Sequence, residues 1–438
     1  MSACAGRGKW RITAALPLAR GQAQSPVVSG LPRHPRTQAP ETSARQAPHP
    51  GWTSHTPPAP PALTPDQGPS FARALWRISA ANVSCGNAVT LFDDGATTFD
   101  AMIAMIDEAQ HSVMLETYVL RNDGVGKRFA AALAGAAARK VRVRLLSDWV
   151  GSRGTGHSYF AALRGAGVDF RVFNPPGWRR WFGLIPRDHR KVLVVDDAIG
   201  FTGGIGIGEQ WRRGILRKRR SAWRDTCVRI VGPAAKDMTR AFEGMWRRAA
   251  GERPSRSRRR LTRAARGADL EPASAAPSLV GIIEGEPGRM RVGRTLHLQA
   301  AAAQRSFWLA SAYFVPTFAE TEALAGAARD GVDVRLLVPS TYDHPWVRGF
   351  AIRFYNRLLR NGVRIWEWRG EMMHAKSTVI DGKWVRVGST DFNPLGVAIN
   401  FELDALIEDA TVGATAEAMF LRDLTLSKEI RRRRSLRD

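Results

Sequence analysis

Two octapeptides in this chain share the pattern His-x-Lys-x-x-x-x-Asp: His189-Arg-Lys-Val-Leu-Val-Val-Asp196 and His374-Ala-Lys-Ser-Thr-Val-Ile-Asp381. Fourteen residues after each His a small-residue pair begins, Gly203-Gly204 in one copy and Gly388-Ser389 in the other. On a strand, residues two apart face the same side, so His189 stands with Lys191 and His374 with Lys376. Such a pair suits phosphate. The Lys neutralises its oxygens, a neutral His can attack phosphorus, and a second His can protonate the leaving oxygen. One copy supplies one His; two copies supply a nucleophile and an acid. The Gly204 backbone and the Ser389 hydroxyl are candidate phosphate contacts, since glycine lets an N–H approach an anion closely. Lysine is a poor metal ligand and no zinc or calcium motif is present, so the expected chemistry uses no metal and no cofactor.

Further along each copy, Trp223-Arg-Asp-Thr-Cys-Val-Arg-Ile230 and Asn400-Phe-Glu-Leu-Asp-Ala-Leu-Ile407 occupy equivalent places. Their acidic residues Asp225 and Glu402 are candidates to hold the far ring nitrogen of a His, with Glu402 expected behind His374. A salt bridge to a nearby arginine is the alternative for Asp225.

The elements that must position these groups also come in duplicate. Ala132–Leu146 aligns without a gap on Ala323–Leu337, with eleven of fifteen positions identical. Each stretch reads as an Ala-rich helix followed by a strand. Before it, Val89–Phe92 and Val113–Tyr118 read as strands and Thr98–Gln110 as an amphipathic helix. The chain therefore divides into a low-complexity N-terminal tail (1–68), a first α/β unit (72–250), a basic flexible linker (251–278), a second unit (279–410) and a C-terminal helix with a basic tail (411–438). The fold class expected is α/β, two tandem units of one design.

A formal net charge of +25 points to an anionic partner. The arginines cluster: seven lie between Arg253 and Arg266, with further groups at Arg217–Arg220 and Arg431–Arg434. The first copy also carries about ten extra residues before its motif. That insert holds Trp178, Trp181 and Phe182 beside Arg179 and Arg180, a composition suited to a membrane interface, the alternative being packing on the domain. No apolar run approaches the roughly 18–20 residues needed to span a bilayer. The stretch Ile12–Ala19 is short and broken by Pro17, a poor signal peptide. Three scattered cysteines suggest no disulfide framework and favour a reducing compartment.

The doubled motif, together with Leu115-Glu-Thr-Tyr118, Ser311-Ala-Tyr-Phe-Val-Pro316, Arg187-Asp-His-Arg-Lys191, Gly203-Gly-Ile205 and Gly388-Ser-Thr390, resembles the phospholipase D superfamily over about 340 residues. Within it the pattern looks most like bacterial cardiolipin synthases of the shorter type. The resemblance implies pseudo-two-fold symmetry with the active site at the interface of the two units. It implies phosphodiester exchange through a phosphohistidine on His189, with His374 as acid and base, Lys191 and Lys376 on phosphate, and Asp196 and Asp381 mainly bracing the fold. Phosphatidylglycerol, at the cytoplasmic face of the inner membrane, is the implied partner, with a phospholipase or a nuclease as the alternative. A non-catalytic basic protein that binds membrane or nucleic acid is a third reading. Two positions depart from the family pattern: Gly206 and Asp391 stand where an Asn is usual.

Overall fold

The computed structural model describes residues 68–176, 186–212, 222–252, 278–344 and 346–431. The N-terminal tail up to residue 67, the residues Trp178, Trp181 and Phe182, the Arg217–Arg220 cluster, the Arg253–Arg266 segment and the last residues after Arg431 lie outside the described set.

After α1 (Gly68–Ser79), the first repeat runs β1 (Asn82–Phe92), α2 (Gly95–Glu108), β2 (Ser112–Thr117), α3 (Gly124–Ala138), β3 (Arg142–Asp148), α4 (His157–Gly165), β4 (Asp169–Phe173), β5 (Lys191–Val195), β6 (Ile199–Gly203), β7 (Cys227–Val231) and α5 (Ala234–Ala249). The second runs β8 (Ser278–Gly285), α6 (Arg291–Ala302), β9 (Ser306–Ser311), α7 (Phe318–Arg329), β10 (Asp333–Pro339), α8 (Trp346–Arg360), β11 (Arg364–Trp368), β12 (Lys376–Ile380), β13 (Trp384–Gly388), β14 (Glu402–Glu408) and α9 (Ala410–Thr425). A short β15 (Ser427–Ile430) follows. The helix starts are written in the sequence: Asp94 accepts the Thr97 N–H at 2.9 Å, Asp123 accepts that of Gly126 at 3.0 Å, and Thr317 with Glu320 forms a reciprocal capping box.

Among the described residues the strands form one sheet in the order β15-β11-β10-β9-β12-β13-β14-β8-β1-β7-β6-β5-β2-β3-β4. Apart from the extra edge strand β15, the order reads the same outward from its centre in both directions. β1 and β8, the first strands of the two repeats, pair antiparallel there, which relates the halves by a pseudo-two-fold. Within each half a parallel trio (β2-β3-β4 and β9-β10-β11) joins an antiparallel set, so helices cover both faces. This is why all six residues of β2 and of β9 are buried, although the β2 sequence alternates as if one face were wet.

Three apolar clusters hold the layers. Phe99, Phe129, Leu133 and Leu193 belong to one under α2 and α3. Leu296, Phe307, Leu324 and Leu358 belong to its counterpart under α6, α7 and α8. On the opposite face a single cluster runs through both halves, from Met238 and Phe242 on α5 to Val412 and Phe420 on α9. Two expected boundaries move as a result. Helix α9 is the topological mate of α5, so the second unit continues past 410. Helix α1 packs against α6, and its Trp76 meets Trp384 of β13 at 5.6 Å, so this helix joins the second half rather than the first.

Candidate active site

The His-bearing loop of each half is held by the other half. His189 N–H donates to Phe401 O at 2.9 Å, and Phe401 N–H donates to Arg187 O at 2.9 Å. The mate of this bridge joins His374 N–H to Arg224 O at 2.7 Å and Arg224 N–H to Met372 O at 2.8 Å. Each bridge ends beside an acidic residue, and the carboxylates therefore cross. His189 Nδ1 lies 3.0 Å from both carboxylate oxygens of Glu402. His374 Nδ1 lies 2.7 Å from Asp225 Oδ2. Glu402 thus serves His189, not the His of its own repeat. The residues align within a repeat, but the two-fold sets the end of each carboxylate strand against the partner's loop. With Nδ1 facing a carboxylate, Nε2 of each ring is left for chemistry.

The two Lys side chains are also matched. Lys191 Nζ donates to His189 O at 2.6 Å and stands 5.4 Å from the Tyr118 ring; Lys376 Nζ donates to His374 O at 2.7 Å and stands 5.6 Å from Tyr313. Their surroundings then diverge. Lys376 is fully buried, with Asp391 Oδ1 at 3.5 Å, while Lys191 lines the cavity. Asp391, where the resemblance led one to expect Asn, spends its charge on Lys376 and accepts the Tyr313 N–H at 3.2 Å.

Both small-residue positions serve the carboxylates. Ser389 Oγ donates to Glu402 Oε2 at 2.5 Å and accepts the Leu403 N–H at 3.0 Å, so its hydroxyl is spent on Glu402 instead of a phosphate. Gly204 makes room: a Cβ there would lie 2.2 Å from Asp225 Oδ1, and its N–H already donates to Thr226 O. Asp196 and Asp381, grouped with the catalytic residues by motif, stand away from the cavity. Asp196 accepts the N–H groups of Gln110, His111 and Ser112 at 2.7–2.8 Å. Asp381 does the same for Gln304, Arg305 and Ser306 at 2.8–3.0 Å. Each takes a left-handed backbone (φ 52° and 53°) that Asp tolerates in a tight turn. Burial pushes the Asp196 carboxyl up, but the three backbone donors outweigh it and hold the group below the usual range. Asp196→Ala is accordingly expected to cost about 1–2 kcal/mol of folding stability, reduced by solvent at this exposed turn, and to leave turnover per folded molecule unchanged. The contribution is present above the unfolded carboxyl pKa and is lost as pH falls through the lower folded value. Chemical denaturation at neutral and acid pH, beside an activity titration, measures both.

Burial sets the protonation of the rest. It pushes His189 well below the ordinary imidazole value, with Lys191, Lys376 and His374 adding to the effect. His374 is lowered too, by burial and Lys376, with Asp225 pulling back. Glu402 is pushed well above the carboxylate range by burial, against Lys191 and Ser389. Lys191 is brought down to about 8 by burial. Burial therefore favours the neutral form of both imidazoles, and at His374 Asp225 opposes that shift.

The histidines share a cavity of about 750 Å³. Arg121 and Arg187 stand among its lining residues from the first half, Asn393 and Asn400 among those from the second, and Tyr118, Trp211, Trp223 and Tyr313 give aromatic walls. Phe350 and Leu395 line it while 46% and 48% exposed, an apolar rim at the mouth. Sequence reasoning missed the four aromatic walls, which carry no periodic signal. Among the described residues no group of three or more His, Cys, Asp and Glu side chains is gathered for a metal ion, and no helix is long and apolar enough to cross a membrane.

A duplicated α/β unit whose paired His-Lys motifs meet at a pseudo-two-fold defines a protein of the phospholipase D superfamily. The chain belongs to the family described as "Cardiolipin synthase, PLD-like domain", which matches residues 102–246 and 297–424. It is 32% identical over 359 residues to a cardiolipin synthase of Geobacillus kaustophilus (strain HTA426), covering 79% of this chain and 67% of that one. It is 33% identical over 334 residues to a cardiolipin synthase B of Salmonella typhi, covering 75% of this chain and 78% of the other. In three dimensions it matches phosphatidylserine synthase of Haemophilus influenzae Rd KW20 with a TM-score of 0.61 over 82% of this chain and 92% of that one. At 15% identity, that match speaks for the fold alone.

Proposed function

We propose that the chain is a phosphatidyltransferase of cardiolipin synthase type that works at a membrane surface. The observation that carries this reading is a pair of imidazoles in one cavity, each held through Nδ1 by a carboxylate of the opposite repeat. His189 Nε2 attacks the phosphatidyl phosphorus. The N–P bond forms as the bond to the headgroup oxygen breaks, and His374 gives its proton to the departing alcohol. The hydroxyl of a second lipid headgroup then returns a proton to His374 and attacks phosphorus, which frees His189. Lys191, which lines the cavity, supplies positive charge to the phosphate, Lys376 stands behind it paired with Asp391, and this chemistry asks for no metal ion. With phosphatidylglycerol as both donor and acceptor, the products are cardiolipin and glycerol.

The rim favours lipid over nucleic acid. The arginines and aromatic rings of the lining suit a phosphodiester of either kind, and it is the exposed apolar surface of Phe350 and Leu395 that supports lipid. By composition alone, Trp178, Trp181 and Phe182 and the arginine clusters, which lie outside the described residues, suit an anionic, cytoplasmic-side leaflet, where each basic residue contributes on the order of 1 kcal/mol.

Purified protein mixed with phosphatidylglycerol vesicles, with products read by mass spectrometry, tests the proposal. Cardiolipin and glycerol are expected; phosphatidic acid alone would make the protein a hydrolase. The same assay across pH carries a second expectation. Lys191, brought down to about 8, is charged below that pH and neutral above it. KM for the phosphodiester should therefore rise as pH passes through 8, with kcat less affected. A KM flat to pH 10 would show that Lys191 keeps its proton.

A further inference from the structure

In each carboxylate–histidine pair a side-chain donor also holds the carboxylate, but the donor differs. In the second repeat the Ser389 hydroxyl steadies Glu402. Its counterpart in the first repeat is Gly204, which has no hydroxyl to give and no space for a side chain beside Asp225. An indole takes its place: Trp211 Nε1 donates to Asp225 Oδ2 at 2.9 Å, the same oxygen that faces His374 Nδ1. The other oxygen of Asp225 accepts the Thr226 N–H at 2.8 Å, so the carboxylate is held from both ends.

The departure from the family pattern at Gly206 makes room for this indole. A Cβ at Gly206 would lie 2.7 Å from Cη2 of Trp211 and 2.9 Å from Cβ of Val119. The ring fills the space that a side chain at 206 would need. It also packs edge-on to the His374 ring, at 5.7 Å and 73°, and to Trp223 at 5.3 Å. Trp211 is 1% exposed, and a Cβ at Gly95 would lie 2.2 Å from its carbonyl oxygen, so the residue has little freedom to shift. Gly204 and Gly206 leave the space that Trp211 and Asp225 occupy, so the three positions form one device.

We propose that Trp211 is a positioning residue for the His374 half-site: its indole N–H, in the role Ser389 plays for Glu402, holds Asp225 in the rotamer that orients His374. This rests on His374 being the acid/base of the proposed reaction. Besides Asp225, Lys376 and Asp391 act most strongly on His374, and His189, Lys191, Arg187, Asp343 and His344 line the same cavity; none of them changes in the variants below. Because the donor draws charge from Asp225, its loss leaves a stronger carboxylate behind the imidazole. His374 should then hold its proton to higher pH.

The test uses an alkyl p-nitrophenyl phosphodiester with water as acceptor, so it reads the site whether or not phosphatidylglycerol is the lipid substrate. Formation of the phosphoenzyme gives a burst that needs only the nucleophile; steady turnover needs His374. Trp211→Phe keeps a ring and loses the N–H. Its steady rate should fall about 10- to 100-fold, the size expected for one hydrogen bond to a charged group, with burst rate kept and the pH limb of turnover moved upward. Should Trp211→Phe fold poorly in thermal denaturation, benzothienylalanine at 211, which keeps the bicyclic shape without the N–H, is measured instead. Equal losses in burst and turnover would mean that Trp211 is only a packing residue. An unchanged pH profile, or no loss in either phase, would equally overturn the proposal.

Discussion

The His374→Ala variant should release a stoichiometric burst of p-nitrophenolate from an alkyl p-nitrophenyl phosphodiester and then stall, whereas His189→Ala should release none. The aryl oxide leaves without needing a proton, so the first step asks only for a neutral nucleophile. Burial moves both imidazoles towards the neutral form; the proposed reaction gives attack to His189 and proton transfer to His374, where Asp225 opposes that shift. Both variants should lose steady turnover by about 1,000-fold or more, since the second step needs a base and the first a nucleophile. A stable phosphorus adduct isolated from His374→Ala would place the covalent bond on His189. A burst from His189→Ala, with none from His374→Ala, would reverse the assignment and leave the two-histidine scheme intact.

The second large effect follows from the crossing of the carboxylates. Glu402→Gln, though it lies in the second repeat, should slow the burst, because it disturbs His189 in the first. Asp225→Asn, in the first repeat, should spare the burst and slow turnover. Losses of about 100- to 10,000-fold are the scale for a carboxylate that sets the tautomer of a catalytic imidazole. If each carboxylate instead affected the phase carried by the His of its own repeat, the crossed arrangement would be wrong in solution. Stability need not follow activity: both carboxylates are fully buried, and each amide keeps the volume.

Much of this was legible in the sequence, for a definite reason. His, Lys, Asp and glycine spacing within a repeat is local, and local spacing survives as strand and turn. The aligned stretches Ala132–Leu146 and Ala323–Leu337 did become the pairs α3–β3 and α7–β10. The exchange of Glu402 and Asp225 between histidines was not legible, because alignment matches residues inside a repeat and says nothing about which face meets which. That depends on the antiparallel pairing of β1 with β8. Ser389 was misjudged for a similar reason. A hydroxyl beside a phosphate motif suggests phosphate, but its nearest anion is the buried Glu402. Trp211 left no signal except an absence: Gly204 and Gly206, two side chains fewer than the repeat leads one to expect. The excursion of α1 onto the second half was hidden too, since nothing in Leu75 or Trp76 names the surface they cover.

The crossed bridges at Phe401 and Arg224 also bear on how such a chain fails and how it arose. Neither repeat holds a complete carboxylate–histidine pair of its own; each lends its carboxylate and borrows the other's. Damage to the folding of one half should therefore be felt first at the ring carried by the opposite half, and no half-active intermediate should exist. A single repeat joined to a copy of itself about the same axis would have possessed every part of this exchange. The arrangement is what a symmetric pair of separate chains would leave behind once a linker had joined them, after which Trp211 and Ser389 were free to diverge.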